Sequence, residues 1–287
     1  MKNNTLLPGL ILLLVVVATG VGIFYQTQGV RIEYVTVRGE RAIFQGSGLY
    51  RYDPVALALE AVIWDVINLV IGLPLFAAAI YLCGRNSLRG RLMLAGFLSY
   101  LFYVYLMYAT MMAFNRLFLV YVAIFALSLV AFVLNLRYID VPRLPAQISN
   151  RFPRRLFASY TIILGVVLIL LWLGRIIPIM AADRFPSELA GLTTLEPQAL
   201  DLGLIVPLAL AAGILLWRRS PWGYLLSAVG ITHGVMMFLT IPMWIVVPLI
   251  QDRKVNLIEA SPMMIVCLVG LFLAGWFYLS VQDERVS

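Results

Sequence analysis

Gly48–Asn68 reads GLYRYDPVALALEAVIWDVIN, and along it a polar segment turns into an apolar helix that carries charge inward. Arg51 and Asp53 stand just ahead of the apolar run, and Asp65 and Asn68 stand inside it. An ionisable residue in a lipid-spanning segment is costly, so it faces the interior of a bundle and takes a partner. The rest of the chain must supply that partner.

The composition agrees with a membrane setting. Of 287 residues 62% are hydrophobic and 12% charged, with a mean hydropathy of +0.95. A soluble domain is about half apolar and a quarter charged. Several runs reach the roughly 20 apolar residues that cross a bilayer. Cys83 and Cys267 lie far apart at or within such runs, so neither a disulfide framework nor a zinc site is indicated. The net charge of +7 belongs to the loops and does not call for nucleic acid.

Outward from that stretch, the first span is about Leu6–Tyr25. Its MKNN head and Ala18-Thr19-Gly20 also suit a cleaved signal peptide, but the apolar run continues through Val21, Ile23 and Phe24, which favours an uncleaved span. Gln26–Glu60 is the one long polar segment between spans. Within it Val30–Val37 and Arg41–Gln45 flank an Arg38-Gly39-Glu40 turn and predict a β-hairpin. A lone hairpin is marginal in water, so it should rest on the helix ends. Seven more spans follow at about Ala58–Cys83, Leu92–Ala113, Leu117–Leu136, Leu156–Ala181, Ala199–Trp217, Gly223–Ile250 and Pro262–Val281. Pro74, Pro178, Pro207, Pro242 and Pro248 interrupt four of them, as bundles tolerate where neighbours satisfy the freed carbonyls. No internal repeat is evident that would support the inverted halves of a transporter.

The expected fold is all-α: a polytopic transmembrane helix bundle of about eight spans, one integral domain over residues 1–287. Residues 26–57 form an extracytoplasmic cap with the hairpin between spans 1 and 2. Eight spans put both termini on one side, and arginine decides which. With the N-terminus inside, the inner loops hold 12 of the basic residues and a net +9, against −2 outside. GRNSLRGR, NRFPRRL and RRSPW carry most of that excess, which makes both termini cytoplasmic.

GLYRYD at Gly48–Asp53, NRLFLVY at Asn115–Tyr121, DLGLIVP at Asp201–Pro207 and RRSPWGYLL at Arg218–Leu226 resemble an uncharacterised family of bacterial multipass membrane proteins of about eight spans. The resemblance implies a prokaryotic plasma (inner) membrane and one compact helical unit. It implies no activity, cofactor or catalytic residue.

Polar residues converge near the outer side. Asp65 and Asn68 share a helix face, with Asp65 about 10 Å below the start of its span. Arg175 nears the end of the fifth span, Asp201 opens the sixth, and Asn115-Arg116 form the turn between the third and fourth. One reading has Arg175 paired with Asp65 or Asp201 as a stitch between helices. Another has Arg175 snorkel and Asp201 cap its helix. A third makes Asp65, Asn68, Arg175, Asp201, Asn115 and Arg116 a binding pocket or ion path open to the outside, with Arg51 and Asp53 as a lid.

His233, the single histidine, suits a neutral hydrogen bond across a helix interface with Gly230/Gly234 as a close-packing frame, or a proton relay with Thr232 or a tyrosine. The stripe of Tyr100, Tyr103, Met107 and Met111 suits packing, or a lipid- or quinone-type groove. Linear catalytic motifs are absent, and no cofactor or metal is named. Binding or transport of a small polar or amphiphilic molecule leads. A structural subunit of a membrane complex with a protein partner, and an intramembrane enzyme acting on lipid, are the alternatives. A tag inserted near Gly39 should be accessible from outside, and a reporter fused after Ser287 should be active only in its cytoplasmic form. A cytoplasmic Gly39 tag would overturn the eight-span topology.

Overall fold

The computed structural model describes residues 5–185, 189, 191–240, 243–250, 255 and 257–282, and it is mostly helical with one small sheet. Helix α1 is Leu6–Phe24. Helix α2 (Val55–Ile67) passes through a π-helical turn at Asn68–Gly72 into α3 (Leu73–Gly84). Then come α4 (Leu88–Thr110), α5 (Phe118–Leu136) and α6 (Arg154–Ala181). Helix α7 (Glu196–Leu200) passes through a second π turn at Asp201–Ile205 into α8 (Val206–Trp217). Helices α9 (Pro221–Phe238), α10 (Met243–Ile250) and α11 (Leu257–Ser280) complete the chain. Among the described residues six helices, counting α2–α3 and α7–α8 as one each, are long and apolar enough to cross a membrane.

The expected boundaries hold within a few residues, with one exception. The single span expected over Gly223–Ile250 is broken: α9 ends at Phe238 and α10 begins at Met243. The residue before a proline is steered away from helical backbone, and Pro242 stands in that gap of the sequence.

The hairpin forms where alternation placed it, with β1 (Ile32–Val35) antiparallel to β2 (Arg41–Phe44) and Ile32 opposite Phe44. Gly39, at φ +81°, makes the turn. Its support extends beyond the expected helix ends. Ala42 and Phe44 press on Gly191, and Arg38 donates to the Leu192 carbonyl at 2.9 Å. The hairpin leans on the connection between α6 and α7 as well as on the start of α2, where Phe44 pairs with the N-cap Pro54.

Helix α4 is the most enclosed long helix, flanked by α3, α5 and α9. That position answers its composition, because tyrosine hydroxyls need protein partners that lipid cannot give. Tyr100, Tyr103, Tyr105 and Tyr108 are all buried. The stripe is therefore packed against neighbouring helices and is not a groove open to lipid.

No inverted repeat is expected, but the structure draws attention to a parallel one. Landmarks of Asn68–Leu106 recur in Asp201–Leu239 at a constant offset of 133 residues. Each π turn begins on its polar residue, Asn68 or Asp201, and is followed by a proline at the same distance, Pro74 or Pro207. Proline has no N–H for the carbonyl four residues back, and a π turn is one local adjustment that re-pairs the ladder. Asn86 and Arg219 both adopt φ +60°, Ser87 and Ser220 are the N-caps that follow, and Gly90 and Gly223 come three residues later. Over the 39 aligned positions 12 are identical.

The two halves meet through their counterparts, α4 against α9. The contact is reciprocal: Tyr103 of α4 reaches the second π turn, and its counterpart Met236 of α9 reaches Gly72 in the first. The buried core divides likewise, into one cluster built chiefly from α1–α5 and another from α6, α9 and α11. Both halves run the same way along the bundle, so they form a parallel repeat and not an inverted one.

Glycine positions test this packing. A Cβ at Gly90 would overlap the Leu82–Cys83 backbone, and one at Gly223 the Leu215–Leu216 backbone, whereas Gly230 has open space. The close approach of α4 and α9 is made by Gly96 against Thr232, so the expected Gly230/Gly234 frame is not the contact. Gly90→Val and Gly223→Val should each cost about 1–3 kcal/mol by overpacking, read as a lower melting temperature in detergent. Gly230→Ala should leave it unchanged or slightly raised.

Candidate functional site

Two polar clusters lie along α4, one towards the hairpin end and one near the middle. The first is assembled by the connector between β2 and α2. Gln45 and Gly46 donate to the carbonyls of Asp53 and Arg51, at 2.9 and 2.8 Å, and fold the connector back on itself. This buries Leu49 and Tyr50 in the bundle. The Tyr50 hydroxyl donates to Oδ2 of Asp65 at 2.5 Å. Gly22 of α1 covers that carboxyl group, and any Cβ there would overlap Oδ2. Tyr108 lies edge-on to Tyr50 and donates to the Ala61 carbonyl at 3.1 Å.

Asp53, ahead of α2, is only 1% exposed. Its Oδ1 accepts the Ala113 N–H at 2.7 Å, and its Oδ2 is buried without a hydrogen-bond partner. Burial lifts its pKa to about 7, against the opposing pull of the Ala113 N–H. Burial likewise pushes the Tyr50 phenol well above its usual range. Asn115 accepts the Leu117 N–H at 2.9 Å and opens α5.

The second cluster joins the halves. Asn68 Oδ1 accepts from the Tyr100 hydroxyl at 2.8 Å, and Tyr100 stacks on Trp64. Asp201 accepts from the Tyr103 hydroxyl at 2.7 Å and the Trp172 indole at 2.9 Å. His233 Nδ1 bonds Ser99 Oγ at 2.8 Å across the α4–α9 interface, as a cross-helix histidine should. Its ring meets Tyr103 and Tyr100 edge-on, at 5.3 and 6.1 Å between centroids. Its Nε2 is buried with no hydrogen-bond partner. Further along, Thr232 bonds the hydroxyl of Tyr278, a tyrosine of α11. From Gly96 to Tyr108 these groups span about 18 Å of α4.

The eight residues singled out in the sequence are thus distributed unevenly. Asp53, Asp65 and Asn115 belong to the first cluster, and Asn68 and Asp201 to the second. The three arginines go to aromatic faces: Arg51 over Tyr52 at 4.7 Å, Arg116 over Tyr25 at 5.6 Å and Arg175 over Trp172 at 5.8 Å. Among the described residues the ion pairs are Arg38–Glu40 and Arg143–Asp140. The expected stitch from Arg175 to Asp65 or Asp201 is not formed, because phenols and an indole hold both carboxyl groups. A neutral donor avoids the cost of desolvating a guanidinium.

The two best-formed recesses among the described residues are at the arginine-rich end and beside Asn68, Gly72 and Tyr100, each with room for about one water. Asp53 is inside the structure instead of forming part of a lid. Tyr50, Tyr103, Tyr108, Trp172 and Gly22 were the residues missed. The tyrosine spacing on α4 was visible in the sequence, but the reach of Tyr50 from a loop was not.

In comparisons with protein-family models, curated proteins and solved structures, no match to this chain is found.

Tyr50→Phe removes the donor to a buried carboxyl group and should cost about 1.5–3 kcal/mol. Asp65→Asn keeps an acceptor for Tyr50 and should cost less. Thermal unfolding in detergent measures both, and equal losses would mean that the hydroxyl contributes little.

Proposed function

We propose that this is an eight-span protein of a prokaryotic plasma membrane, with both termini cytoplasmic and the hairpin outside, that binds and carries a small polar or amphiphilic molecule between its two halves. The observation that carries this reading is a mismatch at the repeat axis. Tyr100 bonds Asn68, the residue that opens the first π turn. The counterpart of Tyr100 is His233, whose Nε2 has no partner, while Asp201 at the second π turn is held by Tyr103 and Trp172. An amide, a carboxyl group, two phenols and an unmatched imidazole therefore converge between aromatic walls at mid-bundle. Such a set offers donors and acceptors to a polar group and flat apolar surface to the rest of a molecule.

Parallel repeats and helices interrupted at the midplane are recurrent features of secondary carriers, and π turns frequently mark functional sites. The carrier is closed in this conformation. Tyr50 and Leu49 occupy the hairpin end, and water-sized recesses are what remain inside. A π turn that relaxes to α geometry shifts the helix beyond it, which offers a way to open the site without breaking the bundle.

Native mass spectrometry of gently purified protein tests the reading. Wild type should retain a small molecule, and Asp201→Asn and His233→Gln should lose it while keeping their melting temperatures. A stably co-purifying polypeptide with no small molecule would overturn the proposal in favour of a scaffold. An altered lipid profile on deletion, with no bound molecule, would overturn it in favour of a lipid-acting enzyme.

A further inference from the structure

The cluster at the hairpin end is not used by that reading, and its chemistry is incomplete as it stands. Asp53 Oδ2 and the Tyr121 hydroxyl are both fully enclosed and both lack a hydrogen-bond partner. Tyr121 lies near Tyr50 and Asn115, and the carboxyl groups of Asp53 and Asp65 both act on its hydroxyl. Tyr50 in turn is bonded to Asp65. Two carboxyl groups and two phenols are thus gathered where the connector enters the bundle.

No ion pair reaches either carboxyl group among the described residues. The nearby cations, Arg51 and Arg116, lie over Tyr52 and Tyr25. An isolated ionised carboxylate is too costly in such a setting, and the group binds a proton instead.

We propose that Asp53 and Asp65 are a proton-binding pair, one lying on the connector and the other bonded to its Tyr50, whose protons come from the aqueous phase at the hairpin end and hold the connector 45–54 in its seat. A proton on Asp53 removes the charge that its buried, unpartnered Oδ2 cannot support. Proton loss leaves a buried anion with one N–H for support, and the connector is then released to let the carboxylate reach water.

The pH dependence follows from Asp53, the outermost member. Burial raises its folded pKa from the ordinary carboxyl value to about 7. A raised pKa stabilises the seated state at low pH, and that contribution fades as pH climbs through about 7. The other titratable or charged groups on the elements at this end are Tyr50 and Arg51 on the connector, Glu60 and Asp65 on α2, Tyr105 and Tyr108 on α4, and Arg116 and Tyr121 at the start of α5. The phenols stay neutral through this interval, which leaves the carboxyl groups to respond.

Infrared difference spectra of the purified full-length protein between about pH 5 and about pH 9 give the direct test. The carbonyl band of a protonated carboxyl group should be lost around pH 7 in wild type, and the part of that step due to Asp53 should be missing in Asp53→Asn. Hydrogen exchange of residues 45–54, corrected for intrinsic base catalysis, should quicken severalfold above that step. Asp53→Asn is neutral at every pH and should exchange slowly throughout. The wild-type spectrum decides even where a variant does not fold: a carboxyl group that ionises at its ordinary acidic value, or connector exchange independent of pH, overturns the proposal. None of these readouts needs a transported molecule, so they stand apart from the carrier reading.

Discussion

A carboxyl group inside an apolar bundle needs hydrogen-bond donors, and this chain supplies them from phenols and an indole. Tyr50 serves Asp65, and Tyr103 with Trp172 serves Asp201. Neutral donors bring apolar rings with them, so the same residues that satisfy the acids also fill the core. This constraint fixes α4 at the centre, because the helix that carries four of the tyrosines must be covered on nearly all sides. It also fixes the connector, which must dip into the bundle to bring Tyr50 to its acid. Arg51 and Arg116 lie over aromatic faces nearer the hairpin end, where their charge stays partly hydrated.

Much of the architecture could be read in the sequence. Runs such as Leu6–Phe24 and Phe118–Leu136 have one physical meaning, and β-branched alternation about Gly39 has one as well. The polar residues were recognisable for the same reason, since charge in an apolar run stands out. Their partners were not, because that depends on which helix faces which. Arg175 is the obvious complement to an acid by charge alone, whereas tyrosine counts as packing until geometry shows its hydroxyl aimed at a carboxyl oxygen. The Gly230/Gly234 spacing misled similarly: spacing gives a face of the helix but not the neighbour that covers it, and Gly230 is exposed.

The π turns were half legible. Each polar residue precedes a proline by six positions, in NLVIGLP and DLGLIVP. Either motif alone is an ordinary apolar stretch. Together, and with Ser-x-x-Gly at Ser87–Gly90 and Ser220–Gly223, they mark one unit used twice. Leucine and alanine matches are uninformative in a membrane-like composition, so the few residues with backbone consequences carry the likeness.

Packing of α4 against its own counterpart gives a single chain the geometry of a two-fold dimer whose subunits have been joined. In a true dimer every substitution appears on both sides of the axis, so an acid at one π turn would face an acid at the other, and two imidazoles would meet where Tyr100 now meets His233. A joined chain escapes that rule. Asn68 and Asp201 occupy equivalent places with different charge, and Tyr100 and His233 with different donors. The axis therefore has a direction across it, and a molecule lying there would be held in one orientation out of two.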